Sequence, residues 1–221
     1  MSDRTLGHLH RHHGDFHDFR DRMLESHGGR FDAVFWGVWD RWVHPGLPVE
    51  ARLLDLGTGP GGLLRDLAKR YPSAHIVGVD VQPAMLEAAQ HLSSELGHRT
   101  RVITADVSRP PIDELKAGHF DAIVLSMVLH EMHVPQNALA EARRLLAPEG
   151  RVVVYDWIRH DLRRYVEGAL DGTEEQILHF AEHCRYTPED YLFLAESAGL
   201  VPVEVLTRRS GANVLMVLRS A

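Results

Sequence analysis

Apolar and polar positions change rhythm at about residue 50 of the chain. Before that point apolar residues are sparse until Phe31–Val43, where Phe35, Trp39 and Trp42 recur at helical spacing. His44-Pro45-Gly46-Leu47-Pro48 then punctuates the chain. Beyond it, short apolar runs alternate with helical periods. Strands are predicted at Arg52–Leu56, Ile76–Val79, Val102–Asp106, Phe120–Leu125 and Arg151–Tyr155. Helices are predicted over Gly61–Tyr71, over Pro83–Leu96 with Gly97 as its stop, and over Asn137–Leu146. Thr187-Pro188-Glu189-Asp190 starts a further helix that ends at Gly199. Two β-like runs, Val201–Leu206 and Val214–Leu218, flank a short glycine-containing turn and can only pair as an antiparallel hairpin. The pattern predicts an α/β fold: a doubly wound, seven-stranded, mostly parallel sheet closed by a terminal antiparallel hairpin, with helices on both faces. Residues 1–48 read as an N-terminal His-rich helical extension, residues 49–221 as the main domain, and residues 157–186 as an insertion within it.

Composition narrows the class. The 221 residues are 44% hydrophobic and 25% charged, which suits an ordinary globular chain and not a disordered one. One cysteine, Cys184, excludes an intramolecular disulfide framework and a cysteine-clustered zinc ribbon. No apolar run reaches the ~18 residues of a membrane span, so a soluble, cytoplasmic protein is expected. Lys and Arg number 24 against 31 Asp and Glu, a net charge of −7 that disfavours a nucleic-acid substrate. The unusual number is 16 histidines, with His8, His10, His12, His13, His17 and His27 crowding the start.

The chemistry begins at Asp55-Leu56-Gly57-Thr58-Gly59-Pro60-Gly61-Gly62. Gly57, Gly59 and Gly62 fit G-x-G-x-x-G between a strand and a helix, where glycines let the backbone approach a ligand. Asp80 ends the second strand about twenty residues on, where a carboxylate can accept from ribose hydroxyls. A dinucleotide and S-adenosylmethionine both meet these conditions. Asp55 discriminates between them: a carboxylate at the turn repels a pyrophosphate and attracts the sulfonium and ammonium of S-adenosylmethionine. Each position alone also has a plain structural reading, a turn glycine or a capping aspartate.

Taken together, Leu53–Gly61, Val77–Asp80, Ala105–Val107, Phe120–His130 and Leu146–Val152 resemble, in order, the motifs of class I S-adenosylmethionine-dependent methyltransferases. The likeness runs from about Ala51 to Ala221. It implies that Asp55, Gly57, Thr58 and Gly59 hold the methionine part of the cofactor. Asp80 would hold the ribose, Val81 would lie against adenine, Asp106 and Val107 would meet the adenine edge, and Ser126 would sit near the sulfonium. S-adenosylhomocysteine would be the product. In this family N-terminal helices often cover the site, and the region of the 157–186 insertion often shapes acceptor choice.

His130, just past the fourth strand, is the candidate general base; the alternative is that it only shapes the pocket. His133, Tyr155 and Trp157 are candidate acceptor-side residues at the same sheet edge. Trp36 and Trp39, with Trp42, Phe31 and Phe35, form either an aromatic lid over the acceptor or the core face of a docking helix. The N-terminal histidines could hold a metal, since His8/His12 and His13/His17 are four apart; a polar arm is the alternative. The expected function is methyl transfer to a small molecule. A tRNA, rRNA or protein methyltransferase, a non-catalytic cofactor-binding or metal-sensing module, and a dinucleotide oxidoreductase are the competing readings. The sequence leaves the acceptor atom and the oligomeric state open, a homodimer included.

Overall fold

A computed structural model describes residues 15–167 and 173–221. The N-terminal extension folds as α1 (Phe16–Glu25), α2 (His27–Arg30) and α3 (Ala33–Trp42). Then follow β1 (Arg52–Leu56), α4 (Gly62–Arg70), β2 (His75–Asp80), α5 (Pro83–Leu96) and β3 (Thr100–Thr104). The second half contains β4 (Phe120–Ser126), α6 (Pro135–Leu145), β5 (Leu146–Trp157), α7 (Leu162–Glu167), α8 (Thr173–His183), α9 (Pro188–Ser197), β6 (Leu200–Arg208) and β7 (Asn213–Ser220).

Local chemistry fixes many of the element ends. Asp32 accepts from the backbone N–H groups of Val34 and Phe35 and starts α3. Gln82 caps α5 through Ala84 N, with Pro83 in the first turn. Thr187 and Asp190 form a reciprocal capping box ahead of α9. The sequence reading of the starts of α5 and α9 holds. One boundary differs: Pro148–Gly150 does not separate α6 from the fifth strand, because Phe120 already pairs with Leu146. The ladder then shifts register and resumes at Ala122–Arg151, so the proline and glycine sit in a bulge within β5.

The sheet has seven strands in the order β3-β2-β1-β4-β5-β7-β6. Strands β3 through β5 are parallel, and β7 runs antiparallel to both β5 and β6. The chain winds outward from β1 to β3 and then restarts with β4 on the other side. A crevice for ligands therefore opens at the carboxyl ends of β1 and β4.

Both faces of the sheet are covered, which is why its strands read as nearly continuous apolar runs. Leu54, Leu56, Ile123, Leu125, Val152 and Val154 face a core closed by Leu139 of α6 and Tyr191 of α9. Leu53, Ile76, Val124, Val153 and Tyr155 face a second core closed by Leu63 and Leu67 of α4 and by Phe35 and Trp39 of α3. The N-terminal extension thus supplies one wall of the main domain. Full burial of Phe35 alone is worth about 1.5–3 kcal/mol. Among the described residues, no helix is long and apolar enough to cross a membrane.

Candidate functional site

The turn after β1 is built around backbone that only glycine adopts easily. Gly57, Gly59 and Gly61 all have positive φ. At Gly57 space is also lacking: a Cβ there would lie 2.5 Å from Cγ2 of Val128. Gly57 N and Thr58 N both donate to the carbonyl of Val79, at 2.8 and 2.9 Å, which pins the turn to the end of β2. The strand-to-helix turn therefore has one tightly determined shape.

Asp55 lies under this turn and is 2% exposed. Thr58 Oγ1 donates to its Oδ2 at 2.8 Å. Burial raises its carboxyl to about 7, the Thr58 bond opposes that shift, and the negative field of Asp80 adds to it. Asp55 lines an open cleft together with Gly57, Thr58, Gly62 and Ser126. Met23, Leu24, His27, Arg30 and Phe31 of the N-terminal helices line it as well.

The residues fit a cationic nucleoside. Ser126 Oγ is buried in the same cleft and has no hydrogen-bond partner among the described residues. Buried hydroxyls are normally satisfied, so a ligand or water completes this one. Arg30, whose side chain is held by Ser26 Oγ and the carbonyl of Met23, lines the same cleft as Asp55. Asp55 suits an ammonium or sulfonium and Arg30 a carboxylate.

Asp80 is half-buried and accepts three backbone N–H bonds, from Gly59 at 2.8 Å, Val81 at 2.8 Å and Gln82 at 2.9 Å. Burial pushes its carboxyl up and those donors pull it down. Asp106, beyond β3, accepts from Ser108 N and Ser108 Oγ and is half-buried. Val81 is half-buried, whereas the side chain of Val107 is packed into the core. Only the backbone of Val107 is thus available to an adenine.

The candidate acceptor residues separate. Trp39 is 1% exposed, and its Nε1 donates to the hydroxyl of Tyr71 at 2.7 Å. Trp36 packs beside it under the Arg70 guanidinium. These side chains form the docking face of α3, which corrects the aromatic-lid expectation: helical spacing put them against α4. From the same extension it is Phe31 that reaches the cleft. Tyr155 is buried on the Asp55 side of the sheet, pairs in register with Ser126, and has a hydroxyl without a partner among the described residues. Trp157 packs edge-on against Tyr165 and His179 of the insertion. His133 is exposed.

His130 does not fit the base role. It is 5% exposed, its Nδ1 is 2.5 Å from Asp156 Oδ1, and its Nε2 is 3.0 Å from Glu131 Oε1. Burial opposes its charge, but the two carboxylates outweigh burial and raise the imidazole to about 10. Each ring nitrogen faces a carboxylate oxygen, Asp156 at Nδ1 and Glu131 at Nε2, so neither is turned to a substrate proton in the Asp55 cleft. It also belongs to the other core: Asp156 sits on the Val154 side of β5, across the sheet from Asp55 and Tyr155. The sequence reading did not join Asp156, Glu131 and His183 into one cluster with His130. Nor did it find Arg30 or the His27–Asp66 pair described below. Apart from the adjacent His130 and Glu131, no local spacing joins these residues. His8, His10, His12 and His13 lie outside the described residues, while His17 is exposed.

Comparison with known proteins agrees with this geometry. Residues 53–150 match the methyltransferase domain family. Demethylmenaquinone methyltransferase of Thermus thermophilus is 37% identical over 106 residues, covering 48% of this chain and 47% of that one. The chloroplastic tocopherol O-methyltransferase of Arabidopsis thaliana is 29% identical over 210 residues, covering 88% of this chain and 58% of that one. The chain spans about half the length of these curated relatives. A crystal structure of an S-adenosylmethionine-dependent methyltransferase from Aquifex aeolicus superposes with a TM-score of 0.69 at 21% identity, covering 92% of this chain and 97% of that one. The fold is that of the class I, Rossmann-like methyltransferases, and residues 53–150 are similar to the methyltransferase domain family.

Proposed function

We propose that the protein transfers the methyl group of S-adenosylmethionine to a small-molecule acceptor. The observation that carries this reading is the buried Asp55 carboxylate, in one cleft with Arg30 and a Ser126 hydroxyl that has no partner among the described residues. S-adenosylmethionine supplies an electrophilic methyl carbon on a positive sulfonium. Asp55 and Thr58 would hold its ammonium side, Arg30 its carboxylate, and Asp80 its ribose hydroxyls. Asp106 and the backbone of Val107 would meet the adenine edge, with Val81 against its face. Ser126 and Tyr155 would border the reacting end.

In the reaction the acceptor's lone pair forms the new bond to the methyl carbon as the carbon–sulfur bond breaks, leaving neutral S-adenosylhomocysteine. The chain contributes orientation and exclusion of water. Both carboxylate-paired nitrogens of His130 argue against routing the acceptor's proton through it, so water or the acceptor's own acidity carries that step. Removal of the sulfonium charge also weakens the attraction of Asp55 for the product, which favours release.

The net charge of −7 supports a small acceptor over a nucleic acid. The two relatives named for demethylmenaquinone and tocopherol make those compounds the first acceptors to try. Calorimetry with S-adenosylmethionine, S-adenosylhomocysteine and NAD, followed by a methyl-transfer screen of small metabolites, tests the reading. Binding of both adenosyl ligands and labelling of a small compound are expected. Binding of NAD alone would overturn it.

A further inference from the structure

His130, Glu131 and His183 bring three potential ligand atoms within 4.8 Å of one another. Glu131 Oε1 is 3.0 Å from His130 Nε2 and 3.4 Å from His183 Nε2. Metal–ligand bonds of about 2.1 Å place neighbouring donors roughly 3–3.5 Å apart. Each imidazole is also oriented from behind. His130 Nδ1 is held by Asp156 Oδ1, and His183 Nδ1 is 3.0 Å from the carbonyl of His179. Both Nε2 atoms are thereby turned toward the same carboxylate. Carboxylate and carbonyl partners of this type fix metal-binding histidines. Asp156 is itself held by the N–H groups of Val128, Leu129 and Trp157.

We propose that His130 Nε2, the Glu131 carboxylate and His183 Nε2 form a binding site for one divalent transition-metal ion of the zinc type. Two imidazoles and a carboxylate suit zinc, cobalt or nickel, whereas magnesium and calcium take oxygen ligands. Two carboxylates, the half-buried Glu131 and the buried Asp156, match the charge of a divalent ion. The Arg185 guanidinium, the positive neighbour on this side, is directed at the carbonyls of His130 and Met132. His130 and Glu131 lie in the turn after β4, while His183 ends α8 of the insertion. A bound ion would therefore clamp the insertion onto the sheet edge, on the face opposite the Asp55 cleft. The proposal does not depend on methyl transfer, because its readout needs neither cofactor nor acceptor.

The test uses the untagged full chain, stripped with chelator, and a second full chain in which His8, His10, His12 and His13 are replaced by asparagine. Both are titrated with Co²⁺ and followed by visible absorption, and their melting is measured with and without Zn²⁺. Both chains should bind one Co²⁺ with d–d bands, and Zn²⁺ should raise the melting temperature of both. Glu131→Gln and His183→Gln should weaken Co²⁺ binding by about 10-fold or more with an unchanged far-ultraviolet spectrum. Absence of Co²⁺ bands in the folded chain lacking the N-terminal histidines would overturn the proposal and leave a metal-free ion-pair network. So would binding that both glutamine variants leave unaltered. Should either variant fail to fold, the spectrum of the asparagine-substituted chain still decides.

Discussion

His27 Nε2 lies 2.6 Å from Asp66 Oδ2, across 39 residues of sequence, and so fastens the N-terminal helices to α4 over the glycine turn. The ring of His27 fills the space where a Cβ on Gly62 would stand, 2.6 Å from its Nδ1. This contact closes one side of the cleft that contains Asp55.

His27→Ala should loosen that closure without unfolding the sheet. Hydrogen bonds to charged groups are worth about 1.5–3 kcal/mol. Because the variant opens only one side of the cleft, we expect about a tenfold loss of S-adenosylmethionine affinity, equivalent to ~1.4 kcal/mol. Calorimetry measures the affinity, and limited proteolysis should find earlier cleavage within residues 16–42. Equal affinity in both proteins would mean the latch is irrelevant to the cofactor.

Asp55 should trade stability for binding. Its carboxyl is raised by burial, so ionisation destabilises the empty protein increasingly as pH climbs from about 4 through about 7. Asp55→Asn removes that cost. The cofactor-free variant should melt higher than the parent at pH 8, by about 2–4 °C for each kcal/mol regained. It should also lose most of its affinity for S-adenosylmethionine. A variant that melts lower at pH 8 would contradict this account of the carboxylate.

The same group sets a pH dependence of binding. A cationic ligand favours ionised Asp55, so affinity should fall as pH drops below about 7, approaching tenfold per pH unit. Calorimetry in buffers of different ionisation heat should also detect proton release on binding near pH 7. A flat profile from pH 5.5 to 8 would show that the ligand does not neutralise this carboxylate.

Gly57→Ala combines a strained φ of 82° with a collision against Val128. Such a change typically costs about 1–3 kcal/mol in backbone strain alone. The melting temperature should fall and cofactor binding should be lost, and Val128→Ala in the same chain should recover part of the stability but less of the binding. Urea unfolding of the three proteins provides the comparison.

Tyr155→Phe isolates a hydroxyl that has no partner among the described residues. Deleting it should leave stability equal or slightly higher, since no hydrogen bond within the protein is lost. If the hydroxyl borders the reacting end, methyl transfer should slow at saturating cofactor. Unchanged turnover would assign Tyr155 to packing.

Much of the fold was legible because both faces of the sheet are buried: runs such as Leu53–Leu56 and Ile123–Leu125 have little reason to exist outside a covered parallel strand. The glycine turn with Asp55 and Asp80 was legible too, since a strand, a turn and a second strand end fix their spacing. What escaped was tertiary. Trp39 follows the same 3.6-residue period whether its face meets an acceptor or α4, and only the docked helix distinguishes the two. His130 and Asp156 are 26 residues apart, so nothing near His130 in the chain announced that its Nδ1 would be occupied as well as the Nε2 beside Glu131. Arg30 faces the cleft from α2, a helix of four residues too short to carry a periodic signal.

The position of β7 between β5 and β6 constrains the order in which the chain can assemble. During synthesis β6 leaves the ribosome ahead of β7, its one neighbour in the sheet among the described residues. It must wait as a nascent segment, with Val203 and Leu206 uncovered, until β7 follows. The hairpin then closes on β5 as a unit. The central strands can pair earlier in translation, which makes this edge the last to mature and the place where a chaperone has most to shield.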